Sequence, residues 1–576
     1  MEALTLERVF GLMAEDLLQA GLNRQQMDES SRYYGAYIVP EEGLDHAHAT
    51  CHLVARSGIL LVGHLNGYSL PSPLTPELLL ERMDLGLGSL RRFQRPSGCI
   101  DLRSANYDSG PDTAFIVQWL CLCASLCRDV TPEEDYTSQW KAVMGTLDDF
   151  IRSAVPGIAR GGFHTANHRW VVASALSFAR SLYSDLDTDL VNDTVAAYLA
   201  EGFDTDAEGA FLERSAGGYD AVNTRSLLLL ASTWKEDITA EVYRSVEDNL
   251  LLNAHLLHAD GTIETGLSRR QDYGRRPKNL GLIPAYLEYA AISGDGTFKA
   301  VAEFLWDAID DRESLGELYL IAAALLRHDL DAVASGEVPD DFSRFYSVNK
   351  IWRVRRGPVS ATVFGEGKEN LLTLVNGTAT LHRLAISHTY FSKLTGRFQV
   401  DDLSVDGNAA HLMSEGTGVL NRPGYEQPLG RPILREEWGA EKANRDVYRL
   451  PYARATVDIE ELPGPERGFQ FHYVSKDILD DVTTQIFFEF PVGGIWETRD
   501  TAILPGNKQA VFLKEGPGRM RFGTDCIEIG PGCGEHRIWA LRNSDAVEDG
   551  YFRVILSLLT PIDFTFTVKA LSNVAM

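Results

Sequence analysis

The 576-residue chain is short of positive charge. It has 54 Lys and Arg residues against 81 Asp and Glu residues, which gives a formal net charge of −27. A surplus of acid on this scale disfavours nonspecific binding to nucleic acid and to anionic membranes. We therefore expect neither partner. A substrate that is itself an acid must meet basic residues that the chain gathers locally.

Long apolar runs are missing as well. A bilayer span takes about 20 apolar residues, and the longest runs, such as 57–63 and 226–232, are much shorter. The first residues, 1–8, contain no basic region followed by an apolar core, so they do not read as a secretory signal. These features predict a cytoplasmic protein.

Cysteine is scarce and odd in number, with seven residues in the chain. Cys121, Cys123 and Cys127 fall within a predicted helix at 111–129, where small apolar packing is the simplest interpretation. A zinc site there would need a second pair of ligands nearby, and the sequence offers none. The cysteines therefore predict a reduced protein without a disulfide framework.

Residues 1–335 have the periodicity of one helix after another, separated by short polar loops. Helices are predicted at 4–22, 44–65, 76–93, 111–129, 132–155, 169–186, 189–201, 219–234, 238–257, 278–292, 297–310 and 314–328. Thr131 is the predicted N-cap of the fifth helix, with Glu134 completing a capping box. A series of helical hairpins is typical of a closed (α/α) toroid or an open solenoid.

From residue 342 the hydrophobic period changes to two, and Gly, Pro, Asn and Asp turns recur at short spacing. Strands are predicted at 351–364, 371–375, 378–386, 453–459, 469–474, 483–490, 509–513 and 552–568. This pattern predicts an antiparallel β-sandwich. The α+β, multidomain prediction is therefore a toroid catalytic domain at 1–335 and a sandwich domain at 342–576, joined by a linker at 329–341.

Two glycine-led stretches in the helical half carry groups suited to chemistry. The first runs from Gly161 and Gly162 to Asn167 and His168, with His164 before them. A polar helix-start cap is the alternative interpretation of that pair.

The second stretch, 213–225, carries Tyr219, then Asn223 one helical turn later on the same face, and Arg225 on another face. A packed aromatic after a glycine turn is the alternative for Tyr219. Interruptions of a regular helical scaffold are where function tends to lie.

A third feature is a basic loop, 268–278, with five cations among its eleven residues. Arg269 and Arg270 are candidates to bind a carboxylate or sulfate, because guanidinium groups match such anions. Tyr273 offers a hydroxyl or a stacking face for a sugar. The alternative is a solvated loop that balances nearby acids.

These groups suit β-elimination beside a uronic acid. The proton next to the carboxylate becomes acidic only when hydrogen-bond donors or a cation neutralise that carboxylate. A base must then remove the proton, and an acid must protonate the departing glycosidic oxygen. Asn167 and His168 suit the neutralising role, and either His168 or Tyr219 can serve as the base.

Taken together, the order of domains, the Asn167–His168 pair at a helix start and Tyr219 at a glycine-rich helix start resemble the heparinase II/III-like polysaccharide lyases. Related lyases cleave alginate or rhamnose–glucuronate linkages. The resemblance implies β-elimination that leaves a 4,5-unsaturated sugar, with Asn167 and His168 neutralising the carboxylate and Tyr219 catalytic. It is specific over about residues 160–275, and it implies an acidic oligosaccharide or polysaccharide as substrate.

The resemblance also raises the question of a metal site in the sandwich. Many members hold zinc in the sandwich, but the residues around His382, His388 and His411 do not reproduce a ligand pattern. We therefore expect no cofactor, with a structural zinc or calcium ion in the sandwich as the alternative. Tyr346, Tyr390, Tyr425, His472 and Tyr473 are available as a further catalytic residue from the sandwich. The sequence leaves open whether the protein forms a homo-oligomer.

Two other functions compete with a lyase. A glycoside hydrolase on the same scaffold would need two carboxylates flanking the bond, for which the sequence offers Asp108, Asp112, Glu213, Asp220 and Glu264. A noncatalytic glycan-binding protein would need no reactive group at all.

Overall fold

The computed structural model describes residues 3–309, 317–365, 368–389, 397–416, 425–426, 428–445, 447–448, 451–464, 467–541 and 544–572. The chain divides into two compact units, Met1–Leu257 with Gly261–Pro339 and His258–Asp260 with Asp340–Met576. The main change of unit falls between Pro339 and Asp340, within the stretch that the sequence marks as a linker. The sequence did not predict the short piece His258–Asp260 as part of the second unit.

The first unit is helical. Its helices are α1 (Leu6–Asp16), α2 (Ala47–Leu65), α3 (Pro76–Phe93), α4 (Gly110–Arg128), α5 (Thr137–Gly161), α6 (Ala166–Leu182), α7 (Thr188–Ala200), α8 (Tyr219–Thr233), α9 (Thr239–Leu256), α10 (Ile283–Ser293), α11 (Gly296–Asp307) and α12 (Leu318–Arg327). Two short hairpins precede inner helices: β1 (Ile38–Val39) with β2 (Leu44–Asp45), and β3 (Ile100–Leu102) with β4 (Asn106–Ser109).

The even-numbered helices form a closed inner ring. Each of α2, α4, α6, α8 and α10 contacts the next, and α12 contacts α2. These helices are buried around most of their circumference, as the run Leu227–Leu230 in α8 illustrates, whereas outer helices such as α5 bury one face. The described helices of the first unit therefore form a toroid of helical hairpins, as the sequence predicted.

One inner helix, Gly110–Arg128, is long and apolar enough to cross a membrane by length and composition alone. However, 89% of its most apolar window is buried inside the unit. Cys121, Cys123 and Cys127 are among its buried residues and form no disulfide. This helix is therefore placed as a core helix.

Helix α5 departs from the prediction at both ends. It begins at Thr137 after a 3₁₀ turn at Glu134–Tyr136, so the capping box at Thr131 is wrong. It also continues through Pro156 to Gly161. Tight packing holds these last turns, since a Cβ added to Gly161 would lie 2.9 Å from the Cα of Gly110. Only glycine allows that approach, which fixes the start of α4 beside the end of α5.

The second unit is built of strands. They are β5 (Asp341–Tyr346), β6 (Ile351–Arg356), β7 (Val359–Phe364), β8 (Leu372–Asn376), β9 (Ala379–His388), β10 (Asp402–Asp406), β11 (Ala409–Ser414), β12 (Tyr425–Glu426), β13 (Val447–Tyr448), β14 (Ala455–Glu461), β15 (Arg467–Ser475), β16 (Thr483–Pro491), β17 (Ile495–Glu497), β18 (Ala502–Ile503), β19 (Ala510–Phe512), β20 (Gly518–Phe522), β21 (Asp525–Gly530), β22 (Tyr551–Leu559) and β23 (Ile562–Leu571). A short helix, α13 (Trp438–Glu441), lies between β12 and β13.

Two large sheets enclose the core of this unit. One has the order β10-β11-β14-β15-β23-β21-β20-β17-β18, and the other has the order β19-β22-β16-β9-β8-β7-β6-β5. Neighbouring strands are antiparallel except β19 and β22. Phe566 of the first sheet stacks on Phe471 and meets Phe488 of the second sheet at a ring distance of 5.7 Å. The predicted combination of a helical domain and an antiparallel sandwich is confirmed.

Candidate active site

The first turns of three inner helices meet in one wall of the helical unit. The ring of His48 in α2 lies 5.7 Å from the ring of Phe115 in α4, and Phe115 lies 6.0 Å from His168 in α6. Nε2 of His48 is also 3.7 Å from Oδ1 of Asp112, at the start of α4. The polar residues that the sequence places at separate helix starts are therefore gathered at one end of the ring.

The start of α6 is tied to a buried carboxylate. The backbone N–H of Asn167 donates to Oε2 of Glu213 at 3.0 Å, and the side-chain Oδ1 of Asn167 accepts from Thr165 Oγ1 at 2.7 Å. Thr165 is the N-cap residue but makes no side-chain capping bond. Because a helix N-terminus favours negative charge, Glu213 takes the place of the cap. Asn167 is only 1% exposed, and with its oxygen engaged its NH2 group is the part of the amide left to donate.

Glu213 also forms an ion pair with Arg270. Its Oε1 lies 3.2 Å from Nε of Arg270, and its side chain is only 3% exposed. The guanidinium carbon of Arg270 lies 5.2 Å from the centre of the Tyr219 ring. The structure thus brings Arg270 of the basic loop to Tyr219, which is the first residue of α8.

Hydrogen bonds to Asp272 join the loop before Tyr219 to the basic loop. The carboxylate of Asp272 accepts from Ser215 Oγ at 2.9 Å, from the Gly217 N–H at 2.9 Å and from Ser268 Oγ at 2.7 Å. Ser215 Oγ in turn accepts from the Tyr219 N–H at 3.2 Å. A Cβ on Gly217 would come within 2.8 Å of Pro277. Glycine at this position therefore lets the two loops pack.

His168 is half-buried, and among the described residues its buried Nδ1 has no hydrogen-bond partner. Burial lowers the pKa of His168 to about 4, and positive charge on His164 and Arg270 acts in the same direction, whereas Asp112 opposes it. The imidazole is therefore neutral near pH 7 and suited to accept a proton. His164 is exposed, with its ring 5.6 Å from that of His168.

Asn223 and Arg225 lie deeper than Tyr219. Asn223 is fully buried, and neither atom of its amide has a hydrogen-bond partner within the part of the chain that the structure describes. Arg225 is on a different face of α8, as its spacing predicted. Its Nη1 is 3.8 Å from Oε2 of Glu317, and it lines a cavity of about 290 Å³ that also borders Gly218.

The other predicted binding residues are on the surface. Arg269 is exposed, and its backbone N–H donates to the Arg214 carbonyl at 2.7 Å. Tyr273 is also exposed, as are three large side chains in the segments before α4, α6 and α8, namely Tyr107, Phe163 and Leu212. Apolar faces at these positions suit contact with sugar rings.

Sequence reasoning missed the residues that α2 contributes. His48 and His52 are four residues apart and so share a helix face, which was the available signal. The His52 ring lies 4.3 Å from Trp119, and Trp119 lies 5.3 Å from His48. Burial lowers the pKa of both imidazoles. They form a neutral, aromatic wall with Phe115.

In the sandwich, the described residues include no group of three or more His, Cys, Asp or Glu side chains placed to hold a metal ion. His382 stacks on Tyr551 at 4.3 Å, His388 is buried in β9, and His411 Nδ1 contacts Asp458 at 2.6 Å. Tyr390 lies outside the described residues. The absence of a cofactor stays a prediction.

Comparison with known proteins gives alignments with solved structures at low identity only. No family model and no curated protein matches the chain. A solved heparinase III aligns with a TM-score of 0.48 and 10% identity over 98% of this chain and 84% of its own. The endoglucanase CelQ of Clostridium thermocellum, in complex with cellotriose, aligns with a TM-score of 0.22 and 11% identity over 93% of this chain and 85% of its own. Any functional conclusion must therefore rest on the residues of the site.

Proposed function

We propose that the protein is a lyase that cleaves the glycosidic bond of an acidic oligosaccharide or polysaccharide at a uronic acid, by β-elimination. The observation that carries this proposal is the position of Arg270, which faces the ring of Tyr219 and is tied through Glu213 to the helix start at Asn167. A phenol beside a fixed cation and a neutral imidazole is the set of groups that the reaction requires. Glucuronate, as in a rhamnose–glucuronate linkage, is the uronic acid that we propose first.

In the proposed reaction, the amide of Asn167 and the guanidinium of Arg270 bind the substrate carboxylate. Their donors stabilise the negative charge that develops when the neighbouring carbon loses its proton. Neutral His168 or the Tyr219 phenolate takes that proton, and the Tyr219 hydroxyl is suited to protonate the departing oxygen. The electron pair of the broken C–H bond forms the new double bond as the C–O bond breaks, and no water is consumed.

The hydrogen bonds that engage the candidate acids disfavour a glycoside hydrolase. Glu213 and Asp112 have oxygens engaged by neighbouring side-chain or backbone donors, and Glu264 accepts from the Gly266 N–H at 2.8 Å. Asp220 is engaged as well. Two asparagine amides donate to it, although burial raises its pKa to about 6. Of the five carboxylates proposed from the sequence, only Asp108 is exposed. A hydrolase needs two that reach the bond.

The pH dependence of the reaction tests the neutral imidazole. Because the pKa of His168 is lowered to about 4, the base form is lost only as the pH falls through 4. We expect kcat/KM to hold between pH 7 and about 5 and then to fall by about tenfold per pH unit below 4. The residual activity of His168→Ala should lack this acid limb. A limb centred near the ordinary histidine pKa would contradict a neutral, buried base.

The two arginines of the basic loop should differ. We expect Arg270→Ala to raise KM for uronate substrates by about tenfold, because a charge-assisted contact is lost, and part of the rise should depend on salt. Arg269→Ala is the matched control. Its exposed side chain should give a smaller change, within about twofold. Equal KM values for the two variants and the wild-type protein would mean that the basic loop is a solvated surface loop that does not bind the substrate.

A screen of uronate-containing oligosaccharides tests the proposal as a whole. A lyase product carries a new double bond next to its carboxylate and absorbs in the far ultraviolet, whereas a hydrolase product does not. A glycan-binding protein would produce neither product. Absence of the chromophore with every uronate tested would remove the proposal.

A further inference from the structure

Two cavities of the helical unit lie next to the candidate site and differ in charge. The larger cavity, of about 740 Å³, lies along α1 and α2, and we call it the α2 cavity. Its ionisable lining comprises the acids Glu15, Asp16, Glu41 and Glu317, the bases Arg24 and Arg56, and His52. The acids outnumber the arginines by four to two. Because burial lowers the pKa of His52 well below its usual value, the imidazole adds no positive charge near pH 7.

Pairing within the α2 cavity leaves its excess of acids unchanged. Arg56 is bonded to Asp16, which cancels one charge of each sign. Arg24 donates to the Tyr37 hydroxyl at 3.0 Å, and Glu41 is exposed at the opening. An anionic sugar placed here would meet carboxylates at close range. Sugar hydroxyls, in contrast, donate hydrogen bonds to carboxylates, and the Tyr37 and His52 rings offer faces for stacking.

The smaller cavity, of about 290 Å³, has the opposite balance. We call it the Lys278 cavity, since Lys278 and Arg225 line it and Glu317 is its acid. Gly218 also lines it, so it lies directly beside the residue that precedes Tyr219. Glu317 borders both cavities, which therefore meet at this side chain. The charge of the lining changes from acidic to basic across that point, toward Gly218, which precedes Tyr219.

We propose that the α2 cavity is a binding site for an uncharged sugar of the substrate, while the uronic acid lies on the basic side with Lys278 and Arg270. This inference rests on the proposed function and names its substrate class: a glycan in which the uronic acid is linked to a neutral sugar. The volume of the α2 cavity lies within the range of small-molecule pockets, about 300–1,000 Å³. A polymer made only of uronic acids is disfavoured because one of its carboxylates would enter the acidic cavity.

Binding and turnover measured with matched tetrasaccharides test this inference. One set alternates glucuronate with rhamnose, glucose or N-acetylglucosamine, and the other is an oligomannuronate of the same length. Affinity is measured by calorimetry on Tyr219→Phe, so that little substrate is consumed, and product absorbance is measured on the wild-type protein. We expect at least one alternating tetrasaccharide to bind about 100-fold more tightly than the oligomannuronate, since a like charge beside a carboxylate is costly in a protein site.

The cavity acids provide the variants. Glu15→Gln and Glu41→Gln should tighten binding of the oligomannuronate by several-fold and change binding of the alternating tetrasaccharide by less than twofold. Glu29→Gln, which alters an exposed acid outside both cavities, should change neither affinity.

The two claims fail separately. Equal or tighter binding of the oligomannuronate by Tyr219→Phe, unaffected by the two cavity substitutions, would overturn the neutral-sugar site whether or not the wild-type protein is a lyase. Selective binding of an alternating tetrasaccharide without any chromophore from the wild-type protein would support the neutral-sugar site and contradict the lyase activity.

Discussion

Replacing Tyr219 by phenylalanine is expected to lower kcat by about 1,000-fold, because general acid–base catalysis by one group contributes roughly 10²–10⁴-fold. The substitution removes one hydroxyl and keeps the ring that Arg270 faces. KM should change little, since the carboxylate contacts of Asn167 and Arg270 remain. The measurement is steady-state formation of the unsaturated product, with circular dichroism and thermal unfolding as checks on the fold.

Tyr243→Phe is the matched control for this variant. Tyr243 lies on the outer helix α9, where its ring is 6.1 Å from that of Tyr289. It loses the same atom at a distance from the site and should retain wild-type kcat. If Tyr219→Phe and Tyr243→Phe turn over substrate equally well, Tyr219 is a packed aromatic and takes no part in the reaction.

His168→Ala should lower kcat by roughly 10²–10⁴-fold as well. The neutral imidazole is either the base or a donor to the carboxylate, and no described residue hydrogen-bonds its buried Nδ1 in a way that would explain it as a structural residue. His64→Ala, at the far end of α2, is the control, since His64 Nδ1 contacts the Tyr68 carbonyl at 3.3 Å and belongs to the end of the helix opposite His48. A His168→Ala variant as active as His64→Ala would exclude the imidazole from the reaction.

Combining the two site variants distinguishes their roles. If His168 and Tyr219 act in the same step, the double variant should be little slower than the slower single variant, because groups that act as a unit are strongly non-additive. If the two losses multiply, the residues act in separate steps. The result therefore bears on which of them is the base.

Local pattern was enough to predict much of the fold. The spacing of apolar residues placed the inner helices α2, α4 and α8 to within a few residues of their observed starts. A buried helix face requires apolar residues at helical spacing, and that spacing is visible in the sequence. Helix α5 shows the limit of that reasoning. Its continuation through Pro156 depends on a glycine contact with α4, which no local signal contains.

The candidate site was also predictable from the sequence only in part. Asn167, His168 and Tyr219 were visible because glycine turns and helix starts mark them in the sequence. The link from Arg270 through Glu213 to Asn167 was not visible, because it joins segments that are far apart in the chain. His48 was passed over because a single glycine, Gly43, and no glycine pair precedes α2. Its importance follows from its contacts with Asp112 and Phe115, which only the closed ring creates.

The mass balance of the reaction is the most direct test of the central claim. Wild-type protein is incubated with alternating glucuronate tetrasaccharides, and the products are weighed by mass spectrometry in ordinary and ¹⁸O-labelled water. Elimination predicts products whose masses sum to that of the substrate, no label in either product, and a far-ultraviolet chromophore that Tyr219→Phe forms much more slowly. Products that together weigh one water more than the substrate, with the label incorporated, would contradict the lyase and identify a hydrolase.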